Sequence, residues 1–127
     1  MKKEIEEPFI RQCANVAVLR SDYKKSTTQK HNRAMRKIAE IVEAMAANPK
    51  DAEISFSHLM DSEDMVVRKE AAIHALRKEI CTEKAVSVLE KLALIDDPEY
   101  GLFVLDVNMA LKQWREKHGL PSPWQPF

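Results

Sequence analysis

One stretch constrains the chain more than any other: Asp61-Ser62-Glu63-Asp64-Met65-Val66-Val67-Arg68-Lys69-Glu70-Ala71-Ala72-Ile73-His74-Ala75-Leu76. An acidic turn opens a helix that carries small residues at helical spacing. At ~100° per residue, Met65, Val66, Ile73, Leu76 and Ile80 share one side, and Ala72 and Ala75 widen it. The result is an arc of roughly half the circumference, wide enough to bury against more than one neighbour. The alanines let helix axes approach toward the short end of the usual range of about 8–10 Å. Glu70, His74, Arg77 and Lys78 fall opposite, which predicts a wet edge on this helix. Asp61 or Asp64 is placed to cap it, because a carboxylate accepts the orphan N–H groups and suits the positive end of the helix dipole.

Parts of this pattern return at a fixed interval. Leu59 and Leu94, Asp61 and Asp96, Ala75 and Ala110, and Leu76 and Leu111 are each 35 residues apart. A period of that size marks a repeated helical hairpin that cannot bury its apolar face alone. Residues 48–80 and 82–117 are therefore expected to form two hairpins in series. Asn48 is placed to cap the first, with Pro49 at its first helical position. Ala52, Phe56, Leu59 and Met60 are its inward set. Thr82 is expected to cap the second, whose first stripe is Ala85, Val88, Leu89, Leu92 and Ile95. A last helix runs from about Tyr100 to Lys117 and is closed by Gly119. The second copy departs from the first at two points: Phe103 stands at the place of Arg68, and Asp106 at the place of Ala71.

Residues 8–47 read as an N-terminal helix pair. The first helix is expected to begin near Pro8, with Phe9, Ile10, Cys13, Ala14, Ala17 and Val18 inward and Arg11, Gln12 and Asn15 outward. Ser26, Thr27 and Thr28 lower helix propensity and leave a loop or a frayed first turn. From about Gln29 a stripe of Met35, Ile38, Val42 and Met45 is clear, and Pro49 stops the helix near Asn48. Residues 118–127 form a Pro-rich tail in which Trp124 and Phe127 are costly to leave in water. They either pack back as a lid or dock into a partner.

Composition narrows the function classes. A chain of 127 residues makes one domain with a core of its own. Lys+Arg and Asp+Glu are 20 each, so no overall field draws the chain to nucleic acid or an anionic membrane. Two glycines are too few for a phosphate-cradling loop. No apolar run approaches the ~20 residues of a membrane span, and the start, Met1 to Pro8, has no apolar signal-peptide region. Cys13 and Cys81 show no metal or redox spacing and read as thiols of a cytoplasmic protein. His31, His58, His74 and His118 include no i,i+4 pair of the kind a helical zinc site needs. Neither a nucleophile motif nor a dinucleotide fingerprint occurs, and the acidic pairs Glu6-Glu7 and Asp96-Asp97 are explained by capping. The sequence therefore points to no catalytic residue, no cofactor and no metal.

Val67-Arg68, Ala71-Ala72 and Ala75-Leu76 behind an Asp turn resemble the second helix of a HEAT-type repeat. With Asp22-Tyr23, His31-Asn32-Arg33 and Met109-Ala110-Leu111-Lys112, the chain resembles small stand-alone bacterial HEAT-like domains. The resemblance covers residues 7–119 and implies an all-α, right-handed stack of about six antiparallel helices. It also implies that Arg68 forms a structural ladder with Asp61 or Asp64. Such domains occur in toxin–immunity gene neighbourhoods, which implies an immunity-type protein that blocks a cognate toxin.

Two function readings follow. The first is a non-enzymatic protein-binding module, monomer or homodimer, acting by steric occlusion. Its contact residues would be Glu70, His74, Arg77 and Lys78 on the central helix, and Asp106, Met109 and Gln113 on the last. Leu102, Leu105 and Met109 form a second apolar patch there that needs a cover. The alternative is nucleic-acid binding through Lys30, Arg33, Arg36 and Lys37, against which stand the neutral charge and the lack of interleaved aromatics beyond Tyr23.

Overall fold

The structure is a computed structural model that describes residues 2–17 and 25–121. Among these the chain is all-α. Its order is α1 (Lys2–Ala17), α2 (Lys25–Ala46), α3 (Pro49–Leu59), α4 (Met65–Lys78), α5 (Thr82–Leu92), a 3-10 turn (Pro98–Tyr100) and α6 (Gly101–Lys117). No described helix is long and apolar enough to cross a membrane. The expectations placed on residues 18–24 and on Trp124 and Phe127 lie outside the described residues.

Two helix starts and one stop follow directly from local chemistry. Asn48 is extended, and its side chain accepts from the Asp51 N–H at 3.4 Å, with Pro49 supplying a first-turn residue that needs no donor. Asp64 Oδ1 accepts from the Val66 and Val67 N–H groups at 2.8 and 3.4 Å. At the far end of α6, Gly119 sits at φ +68°. There the Leu120 N–H donates to the Arg115 carbonyl at 2.7 Å and the Gly119 N–H to Glu116 at 3.2 Å, a Schellman closure.

Other boundaries differ from expectation. Helix α1 begins at Lys2, six residues before Pro8. Ile5 lies one turn ahead of Phe9 and continues the stripe through Cys13 and Val16. The carbonyl that Pro8 cannot serve belongs to Glu4, an exposed residue. The buried stripe is also rotated: Ile10 is 42% exposed and Ala14 is exposed, whereas Val16 is buried. Of the two alternatives for Ser26, Thr27 and Thr28, the helical one holds: they form the first turn of α2, which begins at Lys25. Cys81, not Thr82, precedes α5; it adopts a left-handed conformation (φ 52°), makes no side-chain cap, and donates its thiol to the Glu53 carbonyl at 3.4 Å.

One core joins all six helices. Phe9, Phe56 and Phe103 are fully buried from α1, α3 and α6, and Ile38 and Leu89 from α2 and α5. Each such side chain contributes about 1.5–3 kcal/mol by leaving water. Helix α4 is the axis of the arrangement, packing on α1, α3, α5 and α6. Val67, Ala71, Ala72 and Ala75 on it have no exposed surface. The alanines permit this crowding, because a helix with large side chains all round could not be approached by four others.

The ladder expected of Arg68 is not formed. Its Nη1 donates to the Ser62 carbonyl at 2.7 Å and braces its own turn. Asp64 is occupied as a cap, and Asp61 pairs with Lys84 at 2.9 Å. Two lysines link the repeats instead. Lys84 of α5 reaches Asp61 and also donates to Ser57 Oγ and carbonyl at 2.9 and 3.0 Å. Lys69 of α4 reaches Asp106 of α6 at 3.1 Å.

Candidate binding face

Burial all round α4 decides the fate of its polar residues. Glu70 and His74, expected on a wet edge, are 3% and 7% exposed, and Lys69 is 1% exposed. The correction has a plain cause: α1 and α6 pack on α4 as well as α3 and α5, so α4 has no wet edge along most of its length. Lys69 Nζ lies 3.2 Å from Glu70 Oε2 and 3.1 Å from Asp106 Oδ2, and 5.0 Å from the centre of the Phe103 ring. A buried ammonium survives only when paired in this way. His74 Nε2 stands 4.0 Å from Glu70 Oε1 and is buried without a hydrogen-bond partner. Burial pushes the His74 imidazole below its ordinary value of 6.5; Glu70 opposes this, and Arg77 and Lys78 reinforce it. Burial, aided by the charges of Glu70 and Asp64, pushes the nearby Cys13 thiol well above its ordinary range, while Lys69 opposes. Cys13 is therefore an inert packing thiol.

The remaining two residues of the expected α4 edge go separate ways. Lys78 is half-buried and pairs with Glu43 of α2. Arg77 is exposed near the end of α4 and lines a cavity with Gln113 of α6. Arg77 and Gln113, expected on different surfaces, thus line one cavity.

Helix α6 divides cleanly. Phe103, Val107, Ala110 and Leu111 face the core. Leu102, Leu105 and Met109 recur at helical spacing on the other side and are 45%, 38% and 39% exposed. Gln113 is exposed on the same stripe. Asp106, whose side chain is 57% exposed, lies beside them and reaches inward to Lys69. No other helix among those described packs on this stripe. Asp106 and Met109 are thus exposed on α6, and Leu102 and Leu105 lie with Met109 on the same stripe. Their signal was present in the sequence: three large apolar residues off the main stripe of an otherwise amphipathic helix.

The basic face of α2 is also in the open. Lys30, Arg33, Arg36 and Lys37 are all exposed, and Lys37 faces Glu40 at 3.8 Å. Among the described residues no group of three or more His, Cys, Asp or Glu is placed to hold a metal ion. Neither family models, nor curated proteins, nor solved structures yield a match to this chain.

Proposed function

We propose that this chain is a non-enzymatic protein-binding module whose contact surface is the outer stripe of α6. The observation that carries the reading is the contiguous exposure of Leu102, Leu105 and Met109 beside Asp106 and Gln113. Apolar anchors with a few polar neighbours are the composition of a protein interface. In a stacked-helix protein an outermost helix needs a polar outer face unless something covers it. The HEAT-like resemblance extends the reading to a bacterial immunity-type inhibitor that occludes a cognate toxin by bulk. The occluding surface would hold its shape on binding, since α6 is anchored by Phe103 and Val107 in the core. The two free thiols suit a reducing, cytoplasmic setting.

The test is affinity capture from host lysate by the wild-type chain and by a Leu105→Glu, Met109→Glu double variant. Both positions are exposed, so the double variant keeps its stability within about 1 kcal/mol. A protein partner held by the wild type after nuclease treatment and lost by the variant supports the module. A second copy of the chain as that partner would make the surface a dimer interface. Equal recovery by both chains removes the α6 stripe from the reading. The second reading, nucleic-acid binding, rests on Arg33 and Arg36, which line a shallow depression with Gln29 and Asn32 on α2. It requires nuclease-sensitive capture and binding that weakens steeply with salt.

A further inference from the structure

A separate cavity of about 210 Å³ opens between α4 and α6. Ile73, Leu76 and Ala110 form its apolar floor, with the ring of Trp114 beside them. Arg77 and Lys117 stand at its rim with Gln113. The volume exceeds the ~150 Å³ that accommodates benzene in an apolar cavity, and falls short of the ~300 Å³ at which drug-sized pockets begin. The occupant is thus one ring or a short alkyl chain.

The polar groups around this space are strongly one-sided. Arg77 makes no ion pair among the described residues. Lys117 has only Glu79, at 3.9 Å, which also serves His118 at 3.4 Å. No carboxylate lines the cavity. Two cations therefore stand around an apolar floor without an acceptor of full charge.

We propose that this cavity binds a small carboxylate with an apolar body of about six carbons. The body lies on Ile73, Leu76 and Ala110 against the indole. The carboxylate takes the Arg77 guanidinium and the Lys117 ammonium, and an arginine fork suits its two oxygens. The cavity shares only Gln113 with the exposed stripe of α6, so the two sites are tested by different substitutions.

The experiment is titration of the full ¹⁵N-labelled chain with hexanoate, following the indole N–H resonance of Trp114. A Trp124→Phe chain assigns that resonance, since the protein has two tryptophans. The expected result is a saturable shift, with hexanol and hexylamine binding at least about tenfold more weakly. Arg77→Gln should weaken hexanoate by about tenfold and leave the thermal midpoint unchanged, because Arg77 is exposed. Acetyl-glycyl-leucine carries the same carboxylate on a peptide. Tighter binding than hexanoate assigns the ligand to a chain terminus, and weaker binding to a free acid. Three results would each overturn the proposal: no saturable shift, equal binding of hexanol and hexanoate, or an Arg77→Gln chain that binds hexanoate as the wild type does.

Discussion

Helices α4 and α6 are the second members of two hairpins related by a 35-residue interval, yet they live in opposite surroundings. Helix α4 is enclosed by α1, α3, α5 and α6. It buries a lysine, a glutamate and a histidine among its apolar residues. Helix α6 has a core side and an open side, and the open side carries leucines and a methionine. Polarity and exposure have thus changed places between the two copies. Position in the stack explains it. A middle helix has neighbours on every side, so its charges must find partners inside the protein. An outer helix keeps one face free, and residues there need no partner inside the protein.

The two helices are also coupled at the points where the repeat breaks down. Asp106 occupies the place of Ala71, and Phe103 the place of Arg68. Both substitutions answer the buried Lys69, one with a carboxylate at 3.1 Å and the other with a ring at 5.0 Å. Exchanging the residues at this place should therefore have unequal effects. Ala71→Asp buries a carboxylate where no surface is exposed, and should cost more than about 4 kcal/mol, enough to prevent folding of a marginal domain. Asp106→Ala removes one partner of Lys69 from a half-exposed position and should cost about 1–3 kcal/mol. Urea denaturation of both variants checks the pair. Equal and small losses would mean that α4 is not enclosed in solution.

This contrast also shows what the sequence could and could not reveal. The α2 stripe, the Asn48–Pro49 start, an aspartate cap on α4 (Asp61 or Asp64) and the Gly119 stop are all legible, because each rests on residues within about one helical turn. The α6 stripe was legible for the same reason. The burial of Glu70 and His74 was not, because it depends on α1, which lies more than fifty residues upstream. A helical wheel of α4 counts its own apolar residues and knows nothing of a fourth neighbour. Arg68 was misassigned on similar grounds: its partner is a backbone carbonyl, and backbone carries no residue-specific signal. The start of α1 was missed because Pro8 is a strong local mark, whereas the Ile5–Phe9 pairing that overrides it needs the packed core.

The enclosed histidine offers a sharper test of the α4 environment. His74 is held neutral by burial, with its pKa below the ordinary 6.5. Above about pH 6.5 the imidazole is neutral in folded and unfolded chains alike. As pH falls below that value the unfolded chain takes up a proton that the folded chain refuses. Stability is then lost at up to ~1.4 kcal/mol per pH unit, until the folded pKa is reached. His74→Leu removes this response. Denaturation of both chains at pH 7.5, 6.5 and 5.5 should show a difference that grows as pH falls. Parallel losses in the two proteins would place His74 in water and undo the account of an enclosed α4.

The smallest effect concerns how the two helices end. Both close with the same pair of backbone bonds. In α4 the Glu79 N–H donates to the Leu76 carbonyl at 3.0 Å and the Ile80 N–H to Ala75 at 2.9 Å, matching the closure of α6. The left-handed residue differs: Glu79 at φ 56° in one, Gly119 at φ +68° in the other. A side chain in that region costs about 1 kcal/mol relative to glycine. Glu79→Gly relieves that strain but gives up the contacts to Lys117 and His118, which at exposed positions contribute little. Glycine also loosens the unfolded chain, so the expected gain is only about 0.5 kcal/mol. Gly119→Ala runs the other way. A Cβ there meets nothing within 4 Å, so its cost of about 1 kcal/mol is purely conformational. Thermal midpoints moving in opposite directions would show that α4 and α6 share one closure. A Glu79→Gly chain destabilised as much as Gly119→Ala would show instead that the Glu79 ion pairs, and not its backbone, hold the end of α4 against α6.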